Sequence, residues 1–236
     1  MDIIALDGPS GVGKTSVARL LAQRLGYCFL SSGMIYRAMA WHLLQGGWSA
    51  PAQGQALPEG EVLRRLQDLR VHLDPQGGVF VNGREVAGLL SAEEVSRAAS
   101  LISTLPGVRE RSNALQRQTV SALAGTGGYP GVILEGRDIG TVVFPDAPHK
   151  FFLTAPEAVR AQRRFRQQQA ESGAGSEQSS VAATQEALRQ RDARDSTRAV
   201  APLQPAPDAR LLDTGRLSLE QVVQEIESAV RGPSRR

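Results

Sequence analysis

A doubly wound α/β sheet is the fold class that this 236-residue sequence predicts, and three observations carry the reading. Five short apolar runs are separated by stretches of helical periodicity. The first of them ends in a glycine-rich loop that passes directly into a helix. A set of period-two runs around Asn82-Gly83 forms an insertion that such a sheet does not require.

Along the chain, Asp2 to Leu6 is a buried strand that meets a loop at Gly8. From Thr15 the spacing of Val17, Leu20, Leu21 and Leu25 is helical, and Gly26 sits where a helix C-terminus belongs. Tyr27 to Leu30 is a second strand. It is followed from about Gly33 by a helix whose apolar side carries Ile35, Met39 and Leu43. Gly46 to Gly60, rich in Gly, Pro, Ala and Gln, is a surface connection. Val71 and Leu73, then Val79 and Val81, alternate with period two, and Asn82-Gly83 favours a type I′ turn into Arg84 to Val86. A small antiparallel sheet results.

Helical patterns return at Ala92 to Ser103 and at Gly107 to Ala124, with Pro106 at the join. Val132 to Leu134 and Lys150 to Leu153 are fully buried parallel strands, the second leading through Thr154-Ala155-Pro156 into a helix. Gln167 to Ser180 is polar and low in complexity and reads as a mobile segment. A basic helix from about Val181 to Arg194, a strand at Ala209 to Leu212 and a helix opened by Ser218, with Gln221 as its capping-box partner, complete the pattern.

With 41% apolar and 22% charged residues, the chain can bury one core. Cys28 is the single cysteine, and Met1 runs into a strand pattern without a basic leader, which points to a reducing cytoplasm. No apolar run reaches the roughly 18 to 20 residues that cross a bilayer, so a soluble protein without membrane attachment is expected. The formal charge is +3, but 24 acidic residues are interspersed with 27 basic ones, which argues against a nucleic-acid partner. Lys14 and Lys150 are the only lysines; every other basic residue is arginine, the side chain suited to bidentate phosphate binding. His42, His72 and His149 lack metal-like spacing and read as structural, and Cys28 reads as core.

The segment Gly8-Pro9-Ser10-Gly11-Val12-Gly13-Lys14-Thr15, followed by Ser16, fits the G-x-x-x-x-G-K-[ST] pattern and lies between a strand and a helix as that motif requires. Its glycines let backbone N–H groups turn inward, and the following helix offers its positive end to the same anion. Lys14 would reach the β- and γ-phosphates of ATP, and the Thr15 hydroxyl would ligate Mg²⁺. The chain lacks an Asn-Lys-x-Asp stretch for guanine and is too short for motor or transporter ATPases, which leaves mainly the small kinases. If the acceptor is itself a phosphate, each pair of unit charges at about 4 Å costs roughly 4 kcal/mol at an effective dielectric near 20, so several cations must converge. The attacking oxygen is then already anionic, and positioning with charge stabilisation replaces a general base.

The remaining motifs are Ser32-Gly33-Met34-Ile35-Tyr36-Arg37, the run from Glu135-Gly136-Arg137-Asp138 to Asp146-Ala147-Pro148, and Arg191-Asp192-Ala193-Arg194-Asp195 to Pro202-Leu203. Together with the phosphate loop, this ordered set resembles the bacterial cytidylate kinases over nearly the whole chain. The resemblance implies transfer of the ATP γ-phosphoryl group to CMP, and to dCMP, by a cytoplasmic monomer in pyrimidine nucleotide metabolism. It implies one domain with a core at 1–31, 107–162 and 199–231, a nucleoside-monophosphate-binding insert at 32–106 and a mobile lid at 163–198.

By position, the resemblance has Arg37, Arg137 and Arg198 holding the CMP phosphate, with Ser32 near it. Ser100, Arg109 and Asp138 would face cytosine, and Arg191 and Asp195 the ribose. Lys14, Arg137, Arg194 and Arg198 would serve the transferring group. A carboxylate at Asp138 has a physical reason of its own, because it accepts from the cytosine N4 amino group but opposes the O4 acceptor of uracil. The chain departs from the family pattern at Ser31, where many relatives carry Asp. Kinase action on UMP, AMP or shikimate-like acceptors stays open, as does an ATP-switched regulatory or nucleic-acid-binding module.

Overall fold

The computed structural model describes residues 1–51, 55–75, 77–172 and 180–232. Its main sheet has five strands in the order β2 (Cys28–Ser31), β6 (Gly131–Gly136), β1 (Asp2–Asp7), β7 (His149–Thr154) and β8 (Arg210–Asp213). β1 and β7 pair in parallel with Ile4 opposite His149 and Asp7 opposite Phe152, and β7 pairs in parallel with β8. Neighbours so distant in sequence require crossover connections, and helices supply them. The chain forms two compact units, Gly26–Leu134 and Asp2–Leu25 with Glu135 onward.

In the first unit, α2 (Ser32–Gln45) packs on α4 (Glu93–Ile102). Ile35, Met39 and Leu43 recur at helical spacing on α2 and are fully buried, as is Ile102 on α4, where Val95 is buried as well. Pro106 opens α5 (Pro106–Thr126), where a missing N–H costs nothing. The inserted sheet is antiparallel, with β3 (Val71–Leu73), β4 (Val79–Val81) and β5 (Arg84–Glu85) in that order. Asn82 and Gly83 have φ of 50° and 83°, the two positive values that the expected type I′ turn demands. Arg84 stacks over Trp41, its guanidinium 5.6 Å from the ring centroid.

In the second unit, α1 (Lys14–Leu25) packs against α8 (Leu219–Arg231), burying Val17 and Leu21 on one helix and Val222, Val223 and Ile226 on the other. Ser218 and Gln221 form the expected capping box. α6 (Glu157–Ser172) packs along α7 (Val181–Thr197), whose N-cap Ser180 accepts from the Ala183 N–H. Between β6 and β7 the backbone makes a π-helical turn at Ile139–Val143.

Several sequence expectations need amendment. The polar, low-complexity stretch that begins at Gln167 is helical as far as Ser172, where α6 ends. Its Gln, Ala and Glu residues are good helix formers whatever their low complexity. The rest of that segment, 173–179, lies outside the described residues, as do 52–54 in the connection from Gly46. That connection ends early, in α3 (Glu59–Arg65), which the sequence reading lacked. α7 runs three residues past Arg194. No helix among the described residues is long and apolar enough to cross a membrane.

Candidate functional site

The phosphate loop begins where β1 ends. Gly8 has a φ of 146°, and a Cβ there would lie 2.3 Å from the Leu153 carbonyl oxygen, so the residue must be glycine for the loop to start against β7. Lys14, the first residue of α1, folds back over the loop and its Nζ donates to the Gly8 and Pro9 carbonyls, each at 2.8 Å. Burial holds the Lys14 ammonium well below its ordinary pKa; Arg137 and Arg191 push the same way, while Glu135 and Asp7 oppose. Two arginines are therefore within Coulombic reach of the loop's cation.

Thr15 Oγ1 donates to the Glu135 carboxylate at 2.9 Å from Oε1 and 3.0 Å from Oε2. A hydroxyl and a carboxylate are hard oxygen donors and fit Mg²⁺. Among the described residues no group of three or more His, Cys, Asp or Glu side chains could hold a metal.

Further contacts brace the loop. The Thr214 hydroxyl donates to the Val12 carbonyl at 2.8 Å, and Arg163 of α6 donates to both the hydroxyl and the carbonyl of Thr214, at 3.0 and 2.7 Å. The Asp7 carboxylate accepts from the Ile139 N–H at 2.9 Å and the Gly140 N–H at 2.8 Å, clamping the π-helical turn that follows Arg137-Asp138. Burial pushes the Asp7 carboxyl up to about 6, although those two N–H groups favour its anion.

Beyond the strand end of β6 lies an interleaved charge cluster. Arg137 Nε donates to Asp195 Oδ2 at 3.0 Å; Arg198 lies 3.7 Å from the other Asp195 oxygen and 3.8 Å from Asp138 Oδ1. Burial alone would raise the Asp195 pKa, but Arg137, Arg191 and Arg198 outweigh it and hold the carboxyl below the usual range. The helical spacing of Arg191 and Asp195 puts both on one side of α7, with Arg198 at its C-cap. Arg194 is exposed on α7, and Ser16 is exposed on α1.

In the first unit, Ser32 is the buried first residue of α2, and Ser31 occupies the N-cap without a side-chain capping bond. Arg37 donates to the Leu90 carbonyl at 3.0 Å. Arg109 of α5 is only 2% exposed, stacks 5.8 Å over the Tyr36 ring and donates to the Ser103 carbonyl at 3.0 Å. The Ser103 hydroxyl in turn donates to the carbonyl of buried Ser100. Tyr36, Ser100 and Arg109 are thus linked through α2, α4 and α5.

Sequence reasoning assigned no role to Asp7, Arg160, Arg163, Asp192 or Thr214. Asp192 stands inside a family motif and Asp7 directly precedes the phosphate loop, which are the available signals. Arg160 and Arg163 lie outside every motif quoted above.

A parallel sheet whose first strand opens into a Gly-Lys-Thr phosphate loop, with a hydroxyl and a carboxylate beside it, defines a P-loop phosphotransferase. Residues 4–232 match the family model for cytidylate kinase, and the chain belongs to that family. The cytidylate kinase of Pseudomonas paraeruginosa strain PA7 is 44% identical over 95% of this chain and 93% of its own length. That of Stutzerimonas stutzeri is 43% identical, over 97% and 94%. In fold, an uncharacterized protein from Eubacterium ventriosum resembles the chain with a TM-score of 0.50 at 12% identity, covering 98% of both.

Proposed function

We propose that the chain transfers the γ-phosphoryl group of ATP to CMP, and to dCMP, releasing ADP. The observation that carries this reading is the Arg137–Asp195–Arg198 cluster, two guanidinium groups gathered on one carboxylate just past the end of β6, the strand that also carries Glu135. Two phosphate groups repel each other strongly, and a phosphate loop ringed by guanidinium groups is what their approach requires. The cytidylate kinase relatives support cytidine as the nucleoside.

On this reading the loop from Gly8 to Ser16 holds the ATP phosphates, with Lys14 on the β- and γ-groups. Thr15 and Glu135 would hold Mg²⁺, which when bound neutralises phosphate charge. Arg37, Arg137 and Arg198 are assigned to the CMP phosphate, with Ser32 beside it. Ser100, Arg109 and Asp138 are assigned to cytosine, Arg191 and Asp195 to the ribose, and Arg194 to the transferring group. Residues 32–106 serve as the acceptor insert and 163–198 as the lid. A cytoplasmic monomer without nucleic-acid or membrane partners completes the assignment.

The test is a coupled ADP-release assay over CMP, dCMP, UMP and AMP. Release stimulated most by CMP or dCMP is expected. ATP binding without any acceptor-dependent ADP would overturn the proposal in favour of a nucleotide-switched module.

A further inference from the structure

We propose that Arg160 is a positioning residue for phosphoryl transfer, fastening α7 to the phosphate loop through Asp192. The proposal rests on the kinase reading above.

Arg160 leaves α6 and is 8% exposed. Its Nε donates to the Ala155 carbonyl at 3.2 Å and its Nη1 to the Ser10 carbonyl at 3.0 Å, and the same Nη1 pairs with Asp192 Oδ2. The other carboxylate oxygen of Asp192 accepts from the Ser10 N–H at 3.3 Å. Both backbone polar groups of Ser10 are therefore gripped by one ion pair, whose members come from two different helices. The fit is close, because a Cβ on Gly11 would lie 3.0 Å from the Arg160 carbonyl oxygen and 3.1 Å from the Arg160 Cβ.

The geometry joins two sets of groups that the reaction needs in register. Ser10 belongs to the loop that cradles the donor phosphates. Asp192 is the immediate neighbour of Arg191 and lies one helical turn before Asp195. Fixing Asp192 on Ser10 fixes the rotation of α7, and with it the placement of Arg191 and Asp195 against the loop. Misplacing such groups by about 1 Å can cost on the order of a hundredfold in rate.

The pair also has a charge logic. Asp192 alone would set an anion against a loop built to receive a polyanion, and Arg160 cancels it. The two truncations must then differ. Arg160→Ala leaves an uncompensated carboxylate beside the loop and weakens ATP, whereas Asp192→Ala leaves a cation there and does not.

The test compares Arg160→Ala, Asp192→Ala and the double variant by calorimetric ATP binding without acceptor, and by kcat for CMP phosphorylation. Arg160→Ala should weaken ATP binding about tenfold at low salt, with Asp192→Ala at or above wild-type affinity and the double variant restored. Both single variants should lose about tenfold or more in kcat, and the double should be no worse than Asp192→Ala alone. Arg160→Lys should recover ATP affinity but only part of kcat, since a single ammonium cannot hold the Ala155 carbonyl, as Nε does, together with Ser10 and Asp192, as Nη1 does. Equal ATP affinities in the two single variants, or additive losses in the double, would overturn the proposal. The two failures are distinguishable: a wild-type enzyme that ignored CMP sinks the kinase reading and the transfer role with it, whereas normal CMP turnover with equal ATP affinities in the two single variants sinks the Arg160 role alone.

Discussion

The Thr15 hydroxyl lies 2.9 Å from Oε1 of Glu135, across 120 residues of sequence. Strand β6 brings the carboxylate to the mouth of the phosphate loop, and helix α1 brings the hydroxyl to the same point. Replacing Glu135 with Gln preserves the shape and removes the charge. The expected outcome is a rise of about 10- to 100-fold in the Mg²⁺ concentration for half-maximal turnover. ADP release titrated with MgCl₂ checks it, and an unchanged Mg²⁺ dependence refutes the assignment.

Lys14→Ala removes a buried cation whose ammonium form burial already disfavours. Turnover should fall by about 10²- to 10³-fold, while denaturant midpoints stay at or above wild type. Near-normal turnover, or unfolding of the variant, would contradict that split between function and stability.

Asp138→Ala tests the nucleobase assignment. The side chain is 5% exposed and its Oδ1 lies 3.8 Å from Arg198, within the charge cluster. Losing it should reduce the preference for CMP over UMP by roughly ten- to a hundredfold in kcat/KM. A preference equal to wild type rules the residue out as the discriminator.

Asp7 supplies a pH dependence. Its carboxyl is raised from 3.8 to about 6 by burial, so the fold tolerates the neutral form better than the anion. The resulting stability is complete below about 3.8 and is lost as pH rises through about 6. Relative to Asp7→Asn, the wild type should lose roughly 3 kcal/mol between pH 4 and pH 7, from about two pH units at ~1.4 kcal/mol each. Urea unfolding of both proteins at the two pH values measures the difference, and a gap independent of pH contradicts the assigned shift.

Much of this architecture is written in local pattern. Val132 to Leu134 and Lys150 to Leu153 read as central strands because both faces of a parallel sheet are covered, leaving unbroken apolar runs. The phosphate loop was legible because its spacing is a backbone requirement, and Ser218-Gln221 because a capping box involves only near neighbours. What escaped depends on distant partners. Arg160 and Asp192 stand 32 residues apart on separate helices, and only the packing of α6 on α7 joins them. The π-helical turn at Ile139–Val143 is held by Asp7 from the other end of the chain, so its own apolar letters do not announce it. The tail of α6 was hidden by composition, since polar helix formers look the same in a helix as in a loop.

The scarcity of primary amines gives this chain a chemical consequence. Lys14 and Lys150 are its only lysines, and the first has its nitrogen folded onto two carbonyls of the phosphate loop. An acylating reagent followed by peptide mass spectrometry therefore reads loop occupancy at a single side chain. Lys150, tied to Asp208 at the far end of β7, serves as the internal standard. An arginine-rich surface, invisible to such reagents, supplies the silent background.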